Sequence, residues 1–326
     1  MTTPTIARAE EFHFDDRAFA AVVGSVPLLA KVVDVDAHEG PTYLADEDAL
    51  YVTTVPRRWA NRPPRAFVKR IALEGEVAGL PAERVSRVAS DVVMPNGMTR
   101  DRDGTLLVCD QGDRRHPARI ARIDPRTHTT TTVVDHWHQL PLRSPNDVVV
   151  RSDGTIWFTD PSYGYLQGFR PRPRWRDALY RYDTESGALV IVADHFDKPN
   201  GLAFSPDESV LYVTDSGANQ EPGSFHSERP HHVYAYDVLG GRSLSRERVV
   251  DVTEPGIPDG LAVDAAGRLY VSCDEGVRVL TPDGHLLGRI QLPGAVNFTF
   301  GGPDGNHLYI TADTAVWVAV LDTKGA

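Results

Sequence analysis

The chain has 326 residues, 41% of them hydrophobic and 24% charged, with a formal net charge of −11. That acidic balance, with Lys rare beside Arg, argues against nucleic acid as the main partner. No apolar stretch reaches transmembrane length, and the length leaves two domains or one closed array of repeats.

Residues 1–27 begin MTTPTIARAEEFHFDD and lack the basic and apolar regions of a signal peptide. They are read as an N-terminal extension of a cytoplasmic protein. Cys109 and Cys273, with no CxxC pair, fit reduced thiols and not a structural zinc site. The run LLAKVVDVD (28–36) is strand-like but belongs to no repeat. HEGPTYLADEDALYVTTV (38–55) then opens a series. Its clearest copies are PNGMTRDRDGTLLVCDQG (95–112), PNDVVVRSDGTIWFTDPS (145–162), PNGLAFSPDESVLYVTDSG (199–217) and PDGLAVDAAGRLYVSCDEG (258–276). NFTFGGPDGNHLYITADTA (297–315) is a looser sixth, and the spacing is mostly 50 to 60 residues.

Each copy is an apolar hairpin closed by a turn, and a second strand pair follows, as in DALYRYDTESGALVIVADH. Six such repeats predict an all-β fold, a six-bladed β-propeller with four antiparallel strands per blade. It would span residues 28–326 as one domain. The last repeat ends one strand short, so residues 28–36 are expected to complete it and close the ring, removing open sheet edges.

In register, Glu39, Asn96, Asn146, Asn200, Asp259 and Asn297 occupy one column. Rotation about a propeller axis brings that column into a ring at the central channel. Asn and Asp before a strand often cap a turn through backbone hydrogen bonds, but Glu39 does not fit that reading. Two converging buried carboxylates need compensation, and an all-oxygen set favours Ca²⁺, with Mg²⁺ or Mn²⁺ possible and Zn²⁺ less natural. Asp110, Asp160, Asp215 and Asp274 recur after the second strand and are read as stabilising turns. No G-x-S-x-G motif is present, which excludes the nucleophile-elbow route of α/β-hydrolases.

The repeats, with HEGP at Glu39, PND at Asn146, PNG at Asn200 and PDG at Asp259, resemble the SMP-30/gluconolactonase/LRE-like family over roughly residues 30–320. FTDPSYGYLQGFRPRP, VYAYDV and NFTFGG are similar to its lactonohydrolase-like subgroup. The resemblance implies one divalent cation, usually calcium, held by Glu39, Asn146, Asn200 and Asp259. It also implies hydrolysis of a lactone by water, with Asp259 as general base. Asn96, His38, Tyr163 and Asn297 are expected as substrate contacts, and the loop carrying Tyr163, Tyr165 and Phe169 as a cover. RPRPRWR (170–176) is read as a solvated lid, and residues 216–232, with His226, His231 and His232, as an exposed connection. A phosphotriesterase, a biosynthetic enzyme and a non-catalytic binding propeller remain open at this point.

Overall fold

The second strand of every repeat is an almost unbroken apolar run, as in ALYVT at Ala49–Thr53 and IWFTD at Ile156–Asp160, and both are buried throughout. A strand that is apolar on both faces needs a partner on each side. Stacked blades supply one, since each middle strand touches the sheets before and after its own. The structure, a computed structural model, describes residues 6, 7, 9–58, 63–221 and 223–326.

The sheets form six blades. Blade 1 comprises Glu39–Leu44, Ala49–Thr53, Val68–Ala72 and Val85–Arg87. Blade 2 runs from Pro95–Arg100 to Thr130–Val134, blade 3 from Val148–Val150 to Leu189–Ala193, and blade 4 from Pro199–Phe204 to Ser243–Val252. Blade 5 runs from Leu261–Val263 to Leu286–Gln291, and blade 6 holds Asn297–Gly301, His307–Thr311 and Asp313–Val320. Leu28–Ala37 completes blade 6, pairing antiparallel with Asp313–Val320 so that Val33 faces Val316 and Lys31 faces Trp317. The inner strands pack in succession and the sixth returns to the first, closing the ring.

Apolar burial sits between blades. Leu107, Val148 and Phe158 join blades 2 and 3; Trp157, Leu202 and Leu211 join 3 and 4; Tyr270, Phe298 and Leu308 join 5 and 6. Residues before Leu28 add to this core. Phe12–Phe14 extends blade 5 as a fifth strand, and Phe19, Val22 and Val23 are buried against blades 5 and 6. Among the described residues the α-helices are single turns, Ala20–Val23 and Tyr163–Leu166, and no helix is long and apolar enough to cross a membrane.

Candidate metal centre and active site

The inner strands of blades 1, 2 and 4 slip register at Glu39/Thr42, Pro95/Met98 and Pro199/Leu202. Such bulges re-aim side chains, and here they lie at Glu39, Asn96 and Asn200. The glycine that follows has its own reason. A Cβ on Gly97 would lie 2.3 Å from the Asn146 carbonyl, and one on Gly201 would lie 2.5 Å from that of Asp259. Each blade's backbone therefore abuts the next residue of the column, and the Gly97 amide donates to the Asn146 carbonyl at 2.8 Å.

A second column stands behind the first. The Thr53 hydroxyl donates to the Asn96 carbonyl (2.9 Å), Thr159 to Asn200 (2.8 Å) and Thr214 to Asp259 (2.8 Å). Ser272 reaches the Val296 carbonyl (2.5 Å) and Thr311 that of His38 (2.7 Å). Cys109 holds this place in blade 2 and makes no such bond. Asp110, Asp160 and Asp215 brace the column from outside. Asp110 accepts the Val93 and Met94 amides, Asp160 those of Arg143 and Ser144, and Asp215 those of Asp197 and Lys198. They fix the segments entering Asn96, Asn146 and Asn200. Asp274 differs from the turn-stabilising role expected of it: it is exposed, and its carboxylate makes no hydrogen bond to a described residue.

Glu39, Asn96, Asn146, Asn200 and Asp259 line one cavity of about 210 Å³, together with His38 and Tyr163. Asn96 Oδ1, Asn146 Oδ1 and Asp259 Oδ1 are buried without any hydrogen-bond partner. Buried polar atoms are rarely left so, and three oxygens orphaned around one small volume fit a cation. Asn200 is turned by its Nδ2, which donates to Ser216 Oγ at 3.0 Å, leaving its carbonyl oxygen for the cavity. Burial and the neighbouring Asp259 charge push the Glu39 carboxyl above the usual range, and burial does the same to Asp259. Both effects mark a site short of positive charge. Among the described residues no three His, Cys, Asp or Glu side chains form a metal cluster. Carboxylate and amide oxygens together make up the donors around the cavity, which suits a hard cation.

His38 Nδ1 is 2.7 Å from Asp313 Oδ1. Burial opposes its charge, but Asp313 and the Glu39 and Asp259 carboxylates outweigh it, bringing the imidazole up to about 9. Asn297 corrects an expectation. Its Nδ2 donates to Glu39 Oε2 at 2.8 Å and its Oδ1 accepts the Phe298 amide at 2.7 Å, so both ends of the amide are engaged. It lines the opposite mouth of the channel, a space of about 370 Å³ shared with Asp147 and the C-terminal Gly325–Ala326. Its place is to hold Glu39.

The loop over the cavity is braced. Phe169 is buried with Val93 and Met94, and Arg170 donates to the carbonyls of Asp113, His116, Leu142 and Arg143. Arg170 is thus structural where solvation was expected. His231, expected in an exposed connection, is buried with Nδ1 2.9 Å from the Arg229 carbonyl. Ser216 and the hydroxyl column went unread in the sequence. The sequence signal was a hydroxyl one place before the recurring Asp at Thr159 and Thr214, which blade 5 shifts by one residue to Ser272.

The family model described as the SMP-30/Gluconolactonase/LRE-like region matches residues 37–314. The chain belongs to this family. It is 30% identical to a gluconolactonase of Zymomonas mobilis over 96% of its length and 85% of that protein. It is 36% identical to a lactonohydrolase of Aspergillus oryzae over 98% of its length and 82% of the relative. A solved structure of a gluconolactonase from Xanthomonas campestris superposes with a TM-score of 0.78 at 30% identity, covering 98% of both chains.

Proposed function

We infer that this family member is a lactone-opening hydrolase that works with one divalent cation, calcium by the chemistry of its donors. Three orphaned buried oxygens around a polar cavity carry the reading. Full-length similarity to proteins named gluconolactonase and lactonohydrolase supports the substrate class. Glu39, Asn146, Asn200 and Asp259 would hold the cation, with Asn297 fixing Glu39 and Ser216 fixing Asn200. A cation there supplies Lewis-acid charge for an ester carbonyl oxygen.

The residues do the rest. Asp259 takes a proton from the attacking water as the acyl carbon gains its new C–O bond. The ring C–O bond then breaks, and the leaving alkoxide takes up the proton held by Asp259, giving a hydroxy acid and returning the carboxylate. Asn96 and His38, which line the cavity, orient the lactone. Tyr163 and its braced loop limit water access. Buried free thiols at Cys109 and Cys273 suit a reducing cytoplasm.

Asp259→Asn tests the base. Assayed in a pH-stat at saturating calcium, it should lose on the order of 10²–10⁴-fold in kcat. Unchanged kcat would remove Asp259 from that role. A parallel panel of phosphotriesters tests the rival chemistry; their turnover without lactone opening would overturn the substrate class.

A further inference from the structure

Gln111 follows Asp110 at the end of the second strand of blade 2. Its backbone amide donates to the Met94 carbonyl at 2.9 Å, and Asp110 accepts the amides of both Met94 and Gly112. Gly112 turns the chain at φ +62, where a Cβ would lie 2.5 Å from the His116 carbonyl. The backbone of Gln111 is thus fixed from both sides. The side chain is the opposite case. Gln111 is only 4% exposed and lines the 210 Å³ cavity, yet its carboxamide makes no hydrogen bond to any described residue. The carboxamide opens into the cavity, and its two donor and two acceptor positions are free for a ligand or water there.

Blade 2 stands diagonally across the six-membered ring from blade 5, which carries Asp259. Gln111 therefore faces the reacting carbonyl from the far wall, where the remainder of a lactone ring must lie. A carboxamide both donates and accepts, and so does a hydroxyl. A methylene offers neither. Among the described residues, the charged side chains lining this cavity are Glu39, Glu221, Asp259 and His38, with no Lys or Arg. An anionic substituent would find carboxylates there and, among the described residues, no guanidinium or ammonium.

We propose that Gln111 is a specificity-determining residue that reads a ring hydroxyl, selecting uncharged polyhydroxylated lactones over unsubstituted ones. This rests on the lactone-opening reading but makes a separate demand of the cavity. A site built to hydrogen-bond a hydroxyl discriminates strongly against an analogue lacking it.

The test uses Gln111→Met, which keeps the length of the side chain and removes its hydrogen bonding, with Gln111→Ala as a second variant. kcat/KM is measured on glucono-δ-lactone and on δ-valerolactone. Binding of gluconolactam and valerolactam, which are not opened, is measured by calorimetry on the calcium-loaded protein. The expected result is a loss of about tenfold to a hundredfold on glucono-δ-lactone, carried mainly by KM, with δ-valerolactone and calcium affinity unchanged. Gluconolactam binding should fall in parallel. Equal losses on both lactones would assign Gln111 a structural role, and no loss on either would remove it from the site; both overturn the proposal while lactone opening stands. If no lactone is opened, gluconolactam bound by the natural protein and lost in Gln111→Met keeps the hydroxyl contact while the hydrolase reading fails. Absence of gluconolactam binding sinks both.

Discussion

The Thr214 hydroxyl donates to the Asp259 carbonyl at 2.8 Å across the boundary between blades 4 and 5. A side chain of one blade thereby sets the position of a proposed cation ligand in the next. The relationship recurs at Thr53 with Asn96 and at Thr159 with Asn200. Ring closure and site geometry are thus one structure. Thr214→Val keeps the shape and leaves the carbonyl only the longer bond from the Gly201 amide (3.3 Å), costing about 1–3 kcal/mol. Equilibrium unfolding should show that loss, and calorimetry should show weaker calcium binding; Thr214→Ser should recover both. Full calcium affinity in Thr214→Val would separate the hydroxyl from the site.

Asp215 and Asp274 align in sequence but not in role. Asp215 is buried and accepts the amides of Asp197, Lys198 and Gly217. Asp215→Ala should therefore destabilise by about 1–3 kcal/mol. Asp274→Ala, at an exposed carboxylate, should stay within about 0.5 kcal/mol. Denaturant unfolding of the two variants checks the contrast, which equal losses would contradict.

These two residues show how far the sequence could be read. The six-blade ring and the column from Glu39 to Asn297 were legible because every repeat returns an Asn, Asp or Glu to the same place. Partners were not. Asn297 aligns with Asn96 and Asn200, yet it is turned onto Glu39 by a neighbour 258 positions away. The hydroxyl column depends on carbonyls of the following blade, which alignment within one repeat cannot supply. Gln111 has no repeated counterpart, and its significance comes from an unbonded carboxamide that opens into the cavity.

Metal binding and protonation compete at Glu39 and Asp259. Burial, then the Asp259 charge, raises the Glu39 carboxyl, and burial raises that of Asp259. A carboxyl raised in the folded state contributes stability that is lost as pH rises through its folded value. The calcium-free protein should therefore lose these contributions on passing from mildly acidic to mildly alkaline solution. Bound calcium replaces the protons, so its increment in Tm should grow over the same interval. Scanning calorimetry with and without calcium measures this, and an increment that shrinks with rising pH would contradict it.

Cys109 and Cys273 are buried and free, and burial pushes both thiols up. Neither should react with a disulfide reagent while the protein is folded. Titration after unfolding without reductant should find both as thiols. Rapid native reaction at Cys109 would show that the channel wall of blade 2 opens.

In the proposed function this propeller opens lactones with a cation held by Glu39, Asn146, Asn200 and Asp259. The most direct measurement of this is a pH-stat assay of glucono-δ-lactone opening by chelated protein, before and after calcium is returned, with Glu39→Gln in parallel. Chelated protein should show no opening above the spontaneous rate and full recovery with calcium, and Glu39→Gln should not recover at the calcium concentration that saturates the natural chain. Undiminished opening after chelation, or recovery in Glu39→Gln equal to that of the natural chain, would contradict it.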